Sequence, residues 1–182
     1  MTLPTSVVVT VIALATSLLV SCSTVPTTTT EREDLIRKAQ AERQEWNKLD
    51  PEIETLARKS HGVAFFPEIT KGGLGIGGGY GRGVVYEQGE HIGYADVTQG
   101  SLGLQAGGQT YSEVIVFENK AAMDRFKQNE VDFGANASAV IAKSGAATNA
   151  RFVDGVAVFV RPITGAMAEA SLGGQRITYA PK

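Results

Sequence analysis

The chain has 182 residues, of which 43% are hydrophobic and 20% are charged, as is typical of one packed domain with short appendages. Its 17 basic and 19 acidic side chains leave a formal net charge of −2. The chain therefore has no overall positive field, and nucleic acid is not expected as its partner. An anionic partner would have to meet a local cluster of basic side chains.

The first 22 residues are interpreted as an export signal that ends in a lipidation site. The apolar run VVVTVIALATSLLV is shorter than a membrane-spanning helix and fits the core of a signal peptide. It leads into Leu19-Val20-Ser21-Cys22, which resembles the lipobox of bacterial lipoproteins. Cys22 is the one cysteine of the chain, so it cannot form an internal disulfide, and thioether attachment of a diacylglycerol would account for it. We therefore expect residues 1–21 to be a lipoprotein signal peptide and Cys22 to carry the lipid.

Residues 22–30 would then form a lipidated tether. The segment STVPTTTT is polar and contains a proline, so it is expected to hold the domain off the membrane surface. Ser23 does not resemble the aspartate that retains lipoproteins in the inner membrane. The expected location is therefore the cell envelope, facing the periplasm, with the outer membrane favoured. The alternative is a transmembrane anchor or an ordinary signal peptide with an incidental cysteine, and the leading segment MTLPTS departs from the usual pattern in having no Lys or Arg.

From Glu31 the pattern becomes helical, and a helical lead-in is expected over residues 31–61. Asp50-Pro51 supplies a good N-cap and first residue for a second short helix that stops by Gly62. This lead-in is expected to pack on the domain, the alternative being an amphipathic element that lies on the membrane. The apolar stripe of the first helix consists of Leu35, Ala39, Trp46 and Leu49.

Residues 62–182 are predicted to form a β-rich core. Short β-prone runs include GVAFF, which Pro67 closes, followed by SLGLQAGGQ, SEVIVFE and VAVFVRP. A turn is expected at Gln88-Gly89, and Asn119 is a candidate N-cap for one helix, KAAMDRFKQNE. Residues 31–182 are thus predicted to be one α+β domain with N-terminal helices and one inserted helix. Its core would be a curved, glycine-rich antiparallel β-sheet or a barrel-like structure.

Eight glycines lie in the thirteen residues KGGLGIGGGYGRG, at positions 71–83. The segment formally fits G-x-G-x-x-G, but no helix follows it as a dinucleotide-binding turn requires, so no nucleotide is expected. Apolar residues alternate with the glycines, which excludes a flexible linker and indicates strands. Their small-residue face would pack on another element or form a smooth groove for a ligand. The glycines assigned to this motif are Gly72, Gly73, Gly75, Gly77 and Gly81.

Several long blocks resemble the SYLF domain family. They are GVAFFPEITKGGLGIGGGYGRGVVY, DVTQGSLGLQAGGQTYSEVIVFENKAAMDRF, VDFGANASAVI and VAVFV, and the resemblance runs from about Leu49 to Tyr179. Eukaryotic members of that family are lipid-binding modules, some of them linked to actin regulation, and bacterial members are often small lipoproteins. The resemblance implies membrane phospholipid as the partner. Actin binding is not carried over, because the periplasm offers no actin.

Basic side chains in or near the glycine block and on the inserted helix favour anionic phospholipid. Each such base near an anionic bilayer contributes about 1 kcal/mol. The candidate lipid-binding residues are Lys59, Lys71, Arg82, Arg125 and Lys127.

The sequence does not assemble a catalytic or metal site. His61 and His91 are the two histidines, neither has a cysteine nearby, and no G-x-S-x-G occurs. The carboxylates are spread over turns and helix surfaces without an evident acid and base pair. We therefore expect no enzymatic activity, no cofactor and no metal. The alternative to a lipid-binding module is a structural or protein-interaction lipoprotein with an unidentified envelope protein as its partner.

Overall fold

The computed structural model describes residues 26–129, 139–165 and 175–182, and over these ranges the chain has an α+β fold. The helices are α1 (Thr29–Leu49), α2 (Pro51–Lys59) and α3 (Lys120–Lys127), with a short 3₁₀ turn at Ala147–Asn149. The strands are β1 (Gly62–Glu87), β2 (Glu90–Phe117), β3 (Ala139–Ile141), β4 (Val156–Thr164) and β5 (Gln175–Pro181). The predicted signal peptide and the lipidation site at Cys22 lie outside the described residues.

Local capping signals fix the two N-terminal helices. The Thr28 side chain accepts a hydrogen bond from the Glu31 backbone N–H at 3.2 Å, and the Glu31 carboxylate accepts one from the Thr28 N–H at 3.3 Å. This reciprocal capping box starts α1 two residues before the predicted position. Asp50 caps α2 by accepting a hydrogen bond from the Glu52 N–H at 3.2 Å, and Pro51 occupies the first helical position, as the sequence predicts.

β2 is the central strand of the sheet. It pairs along one edge with β1, through a turn at Gln88-Gly89 where both residues have positive φ. Along its other edge it pairs with β4 at residues 110–117 and with β5 at residues 93–99. All of these pairs are antiparallel, but β3 pairs with β4 in parallel, so the sheet is mixed rather than wholly antiparallel as predicted. The described strands follow the open order β1-β2-β4-β3, with β5 beside β2.

β1 curves so strongly that its two halves contact each other. The Gln88 N–H, just past its end, donates a hydrogen bond to the carbonyl oxygen of His61, just before its start, at 2.9 Å. Along the strand, a Cβ atom added to Gly81 would lie 2.8 Å from the carbonyl oxygen of Glu68. A Cβ atom on Gly83 would lie 2.9 Å from a carbonyl oxygen of the first half. These glycines are required because the backbone of one half passes directly over the other.

Apolar side chains form two cores, one on each face of the sheet. Successive strand residues alternate between them, so that Ile115 and Phe117 enter one core while Val114 and Val116 enter the other. α3 covers the first core through the three residues expected to face inward, Ala122, Met123 and Phe126. α1 and α2 cover the second core through Leu35, Ala39, Trp46 and Ile53.

The last residue of the predicted stripe, Leu49, is 37% exposed, because α1 ends there and the chain turns into α2. Of the helices in the described ranges, none combines the length and apolarity needed to cross a membrane.

Candidate functional site

An open groove of about 830 Å³ lies between the first three turns of α1 and the two halves of β1. Its wall on the β1 side is largely backbone, since it includes Gly72, Gly78, Gly79 and Gly81. Leu35, Pro67 and Tyr80 add apolar surface. The glycine block therefore forms one side of a groove where a ligand can approach the main chain closely.

The charged side chains of the groove carry both signs. They are Glu31, Asp34, Lys38, Glu68 and Arg82, so that three carboxylates face two bases. The Lys38 ammonium lies 3.2 Å from the Asp34 carboxylate. Glu68 is exposed and forms no hydrogen bond or ion pair with another residue of the described ranges. The groove therefore presents more negative than positive charge.

Arg82 is held in place by groups on both sides of the groove. Its Nε donates a hydrogen bond to the Tyr80 hydroxyl at 2.6 Å, and this bond raises the pKa of Arg82. Its guanidinium also lies 3.7 Å from the Glu31 carboxylate. Hydrogen bonds from the backbone N–H groups of Thr28 and Thr27 lower the pKa of Glu31 and keep it ionised. Arg82 is thus a fixed cation whose charge is shared with a carboxylate of α1.

Gln99 of β2 lies at the floor of the groove, directly across from Gly79 in the strand pair. It is 7% exposed, and its Nε2 donates a hydrogen bond to the Tyr111 hydroxyl at 2.7 Å. Its Oε1 is buried and has no hydrogen-bond partner in the described structure. That oxygen lies 3.2 Å from the position that a Gly79 Cβ atom would occupy. The floor therefore offers an unused hydrogen-bond acceptor, a feature that is costly unless a ligand or water satisfies it.

The glycines assigned to the motif differ in their surroundings. Gly81 is packed against the first half of β1, as described above. A Cβ atom on Gly72 would have its nearest neighbour at 3.5 Å, an ordinary contact. Gly73 and Gly77 are half-buried strand residues. Gly75 belongs to β1, and its surroundings lie outside the part of the chain that the structure describes. Both functions expected of the small-residue face, packing and lining a groove, thus have counterparts among the block's glycines.

The bases expected to bind lipid do not form one surface. Arg82 lies in the groove, and Lys71 lies beside it, with its Cβ 3.4 Å from the position of a Gly79 Cβ atom. Lys59 is exposed at the C-terminal end of α2. These three bases therefore meet different surroundings.

Arg125 and Lys127 lie on α3, which covers the opposite face of the sheet from α1. The Lys127 ammonium lies 3.0 Å from the Glu87 carboxylate and 3.3 Å from that of Asp124. Arg125 donates a hydrogen bond to the carbonyl oxygen of Asp154. These contacts fasten α3 to the end of β1 and to the turn before β4. Lipid binding by the two α3 bases stays a prediction, and the structure places them away from the groove.

Sequence reasoning missed Glu31, Glu68, Tyr80 and Gln99 as groove residues. No local signal marks Gln99, because its position opposite Gly79 follows from the register of two long strands. Tyr80 and Glu68 stand in or next to the glycine block and could have been included with it. Among the described residues, no group of three or more side chains is arranged to hold a metal ion.

Residues 98–181 match the family model described as Ysc84, Las17-binding protein actin regulator, whose domain is also named SYLF. The match confirms the resemblance that the sequence blocks indicated. It begins within β2 and runs to the end of β5, so it includes Gln99, whereas α1, α2 and β1 lie before it. No curated protein matches the chain.

Proposed function

We propose, from the premise that residues 98–181 form a SYLF domain of the Ysc84 family, that this protein is a membrane-anchored bacterial lipoprotein that binds phospholipid. Its place would be the cell envelope, facing the periplasm, with the outer membrane favoured. Its role would be binding rather than catalysis, without a cofactor or metal. The observation that carries the proposal is the open, glycine-backed groove beside the N-terminal end of α1.

The position of the groove suits a protein that is anchored through Cys22. Pro26 is buried, and its carbonyl oxygen accepts a hydrogen bond from Arg32 Nε at 3.0 Å, so the chain is fixed to the domain from that point. Four extended residues span at most about 15 Å, so an acylated Cys22 would hold Pro26 within that distance of the bilayer surface. Glu31 and Asp34, which follow at the start of α1, line the groove. A short tether therefore keeps the groove close to phospholipid head groups.

A preference for anionic phospholipid is proposed to come from Lys59 and Lys71. Neither lysine forms an ion pair with another residue of the described ranges, so the full charge of each is available. Each lysine near an anionic surface contributes about 1 kcal/mol, which supports an existing lipid anchor but is weak alone. Arg82 contributes less to this attraction, because Glu31 and Asp34 share its groove.

Co-sedimentation with vesicles tests the proposal. The chain from Ser23 onward retains Pro26 and the Thr28 cap but has no acyl group, so any pelleting reports binding by the domain. We expect more pelleting with anionic vesicles than with neutral ones. The difference should fade as salt shortens the screening length from about 10 Å at 0.1 M to about 3 Å at 1 M.

A matched pair of double variants identifies the surface. Lys59→Gln with Lys71→Gln should abolish the preference for anionic vesicles. Lys48→Gln with Lys120→Gln removes the same charge from other exposed positions and should leave the preference intact. Equal and negligible pelleting of the unmodified domain with both kinds of vesicle would contradict lipid binding.

That negative outcome would favour the second candidate function, a non-catalytic structural or protein-interaction lipoprotein. One observation supports this candidate independently: the matching family is described by its binding to a protein, Las17. The same groove would then receive a segment of an envelope protein. Cross-linking of the lipoprotein in intact cells, followed by mass spectrometry, would show a discrete protein adduct.

A further inference from the structure

The groove offers more hydrogen-bond acceptors than a purely anionic ligand can use. Gln99 Oε1 is buried at its floor without a hydrogen-bond partner, and the Glu68 carboxylate in its lining forms no hydrogen bond or ion pair with another described residue. Glu68 and Arg82 line the same groove, and the carbonyl oxygen of Glu68 lies against Gly81, the residue before Arg82. The groove therefore contains a negative group without an ion-pair partner among the described residues and a fixed positive group.

This arrangement selects among ligand chemistries. A phosphodiester alone would meet three carboxylates and two bases, and it has no O–H with which to donate a hydrogen bond to Gln99 Oε1. A quaternary ammonium also has no N–H to donate, and it is usually held by a cage of several aromatic rings. The described lining of the groove contains one aromatic ring, that of Tyr80. A primary ammonium has three donors and matches both Glu68 and Gln99.

We propose that the groove binds a zwitterionic phosphoethanolamine head group. Glu68 and Gln99 Oε1 accept hydrogen bonds from its ammonium, while Arg82 and the glycine backbone face its phosphate. This inference rests on the proposed function in taking the groove as the phospholipid site. It goes beyond that function by separating two contributions: the lysines outside the groove attract an anionic surface, and the groove itself selects the head group.

Calorimetric titration of the full-length lipoprotein in non-ionic detergent micelles tests the inference with soluble head groups. Glycerophosphoethanolamine should bind about tenfold more tightly than glycerophosphocholine, as the loss of one charge-assisted hydrogen bond implies. It should also bind more tightly than glycerophosphoglycerol, which lacks the ammonium, and than free ethanolamine, which lacks the phosphate. Equal affinity for the ethanolamine and choline compounds would overturn the proposal. So would equal affinity for free ethanolamine, which would indicate a site for amines from any source.

Two pairs of variants locate the binding. Glu68→Gln should lower the affinity for glycerophosphoethanolamine about tenfold, whereas Glu118→Gln, at another exposed carboxylate, should not change it.

Gly78→Leu and Gly100→Leu place the same side chain on two residues that face each other across β1 and β2. A Cβ atom has room at both, with its nearest neighbour at 3.7 Å or none within 4 Å, but only Gly78 lines the groove.

Gly78→Leu should therefore abolish binding, and Gly100→Leu should retain it. Binding that survives Gly78→Leu would show that the ligand lies elsewhere and would overturn the inference. The vesicle co-sedimentation and the head-group titration test different claims, so either one can fail without the other. Anionic pelleting without selection of glycerophosphoethanolamine would contradict the head-group inference alone. Selection of that compound without pelleting would contradict membrane binding by the domain alone.

Discussion

Glu113 lies on β2 between Tyr111 and Ile115, on the sheet face that α3 covers, and its carboxyl group is fully buried. Burial raises the pKa of Glu113 to about 8, although the Gln175 Nε2 donates hydrogen bonds to both carboxylate oxygens, at 2.9 and 3.2 Å. The ordinary value is 4.5. The folded protein therefore binds a proton between these two pH values that the unfolded chain has released.

The sign of the resulting pH dependence follows from this difference. A folded-state pKa above the unfolded value stabilises the fold at low pH, so the contribution of Glu113 is lost as pH rises from about 4.5 to about 8. The loss is at most about 1.4 kcal/mol per pH unit. Glu113→Gln keeps the shape of the side chain without a charge. We expect its free energy of unfolding, measured with denaturant, to fall less between pH 5 and pH 8 than that of the unmodified protein.

Comparison of the two proteins isolates Glu113 from other titrating groups. Burial lowers the pKa of His91, so the contribution of this histidine to the stability of the fold increases as pH rises. That change is opposite in sign to the change from Glu113, and it is present in both the variant and the unmodified protein. The same pH slope in the variant and the unmodified protein would contradict the assignment. The sequence alone could not supply this prediction. Ser112-Glu113 stands at the start of an apolar run, and that pattern fits a solvent-exposed strand end as well as a buried position.

At the scale of the element, the two long strands differ most from what the sequence predicts. The sequence predicted short β-prone runs and assigned the glycine block to strands, whereas β1 and β2 join these runs and the glycines into single strands of 26 and 28 residues. Pairs such as Gly72 with Gly108 keep the two strands in register. Pro67 does not end the first strand, because it lies where the register with β2 shifts and no ladder hydrogen bond is lost.

The curvature of β1 leads to a prediction about its glycines. A Cβ atom on Gly81 would lie 2.6 Å from the Ile69 side chain and 2.8 Å from a backbone oxygen, so the neighbouring backbone would have to move. Gly81→Val is expected to lower the free energy of unfolding by about 1–3 kcal/mol or more through overpacking. For a domain of this size that corresponds to a fall in melting temperature of about 2–4 °C per kcal/mol.

Gly72→Val supplies the control, since valine favours strands and a Cβ atom there meets only ordinary contacts. Its melting temperature should stay close to that of the unmodified protein. An unchanged melting temperature for Gly81→Val would show that the two halves of β1 do not pack closely. The sequence identified the glycine block as strands with a small-residue face. It could not assign each glycine to packing or to the groove, because that depends on which half of β1 lies against the other.

At the scale of the whole molecule, the sequence predicted features that depend on neighbouring residues, such as helix starts. It did not predict ion pairs between residues that are remote in sequence. Asp50-Pro51 and Asn119 give helix starts from neighbouring residues, and both are found in the structure. The basic residues were grouped by their positions in the sequence, but the fold pairs Arg82 with Glu31 and Lys127 with Glu87. Those carboxylates are remote in sequence, so the mixed charge of the groove emerges only when α1 packs against β1.

The attachment of the molecule to its membrane gives the last prediction. If Cys22 is diacylated, mass spectrometry of the mature protein should find an N-terminal cysteine with a thioether-linked diacylglycerol, and Cys22→Ser should block this processing. Ser23→Asp supplies the retention signal that the sequence lacks, so it should move the protein from the outer to the inner membrane in fractionation while leaving acylation intact. In either membrane the groove would lie within reach of phospholipid, because only three residues lie between Cys22 and the buried Pro26. An unmodified Cys22, or cleavage at another residue, would remove the anchor, and the weak attraction of Lys59 and Lys71 would then have to hold the domain at the bilayer unaided.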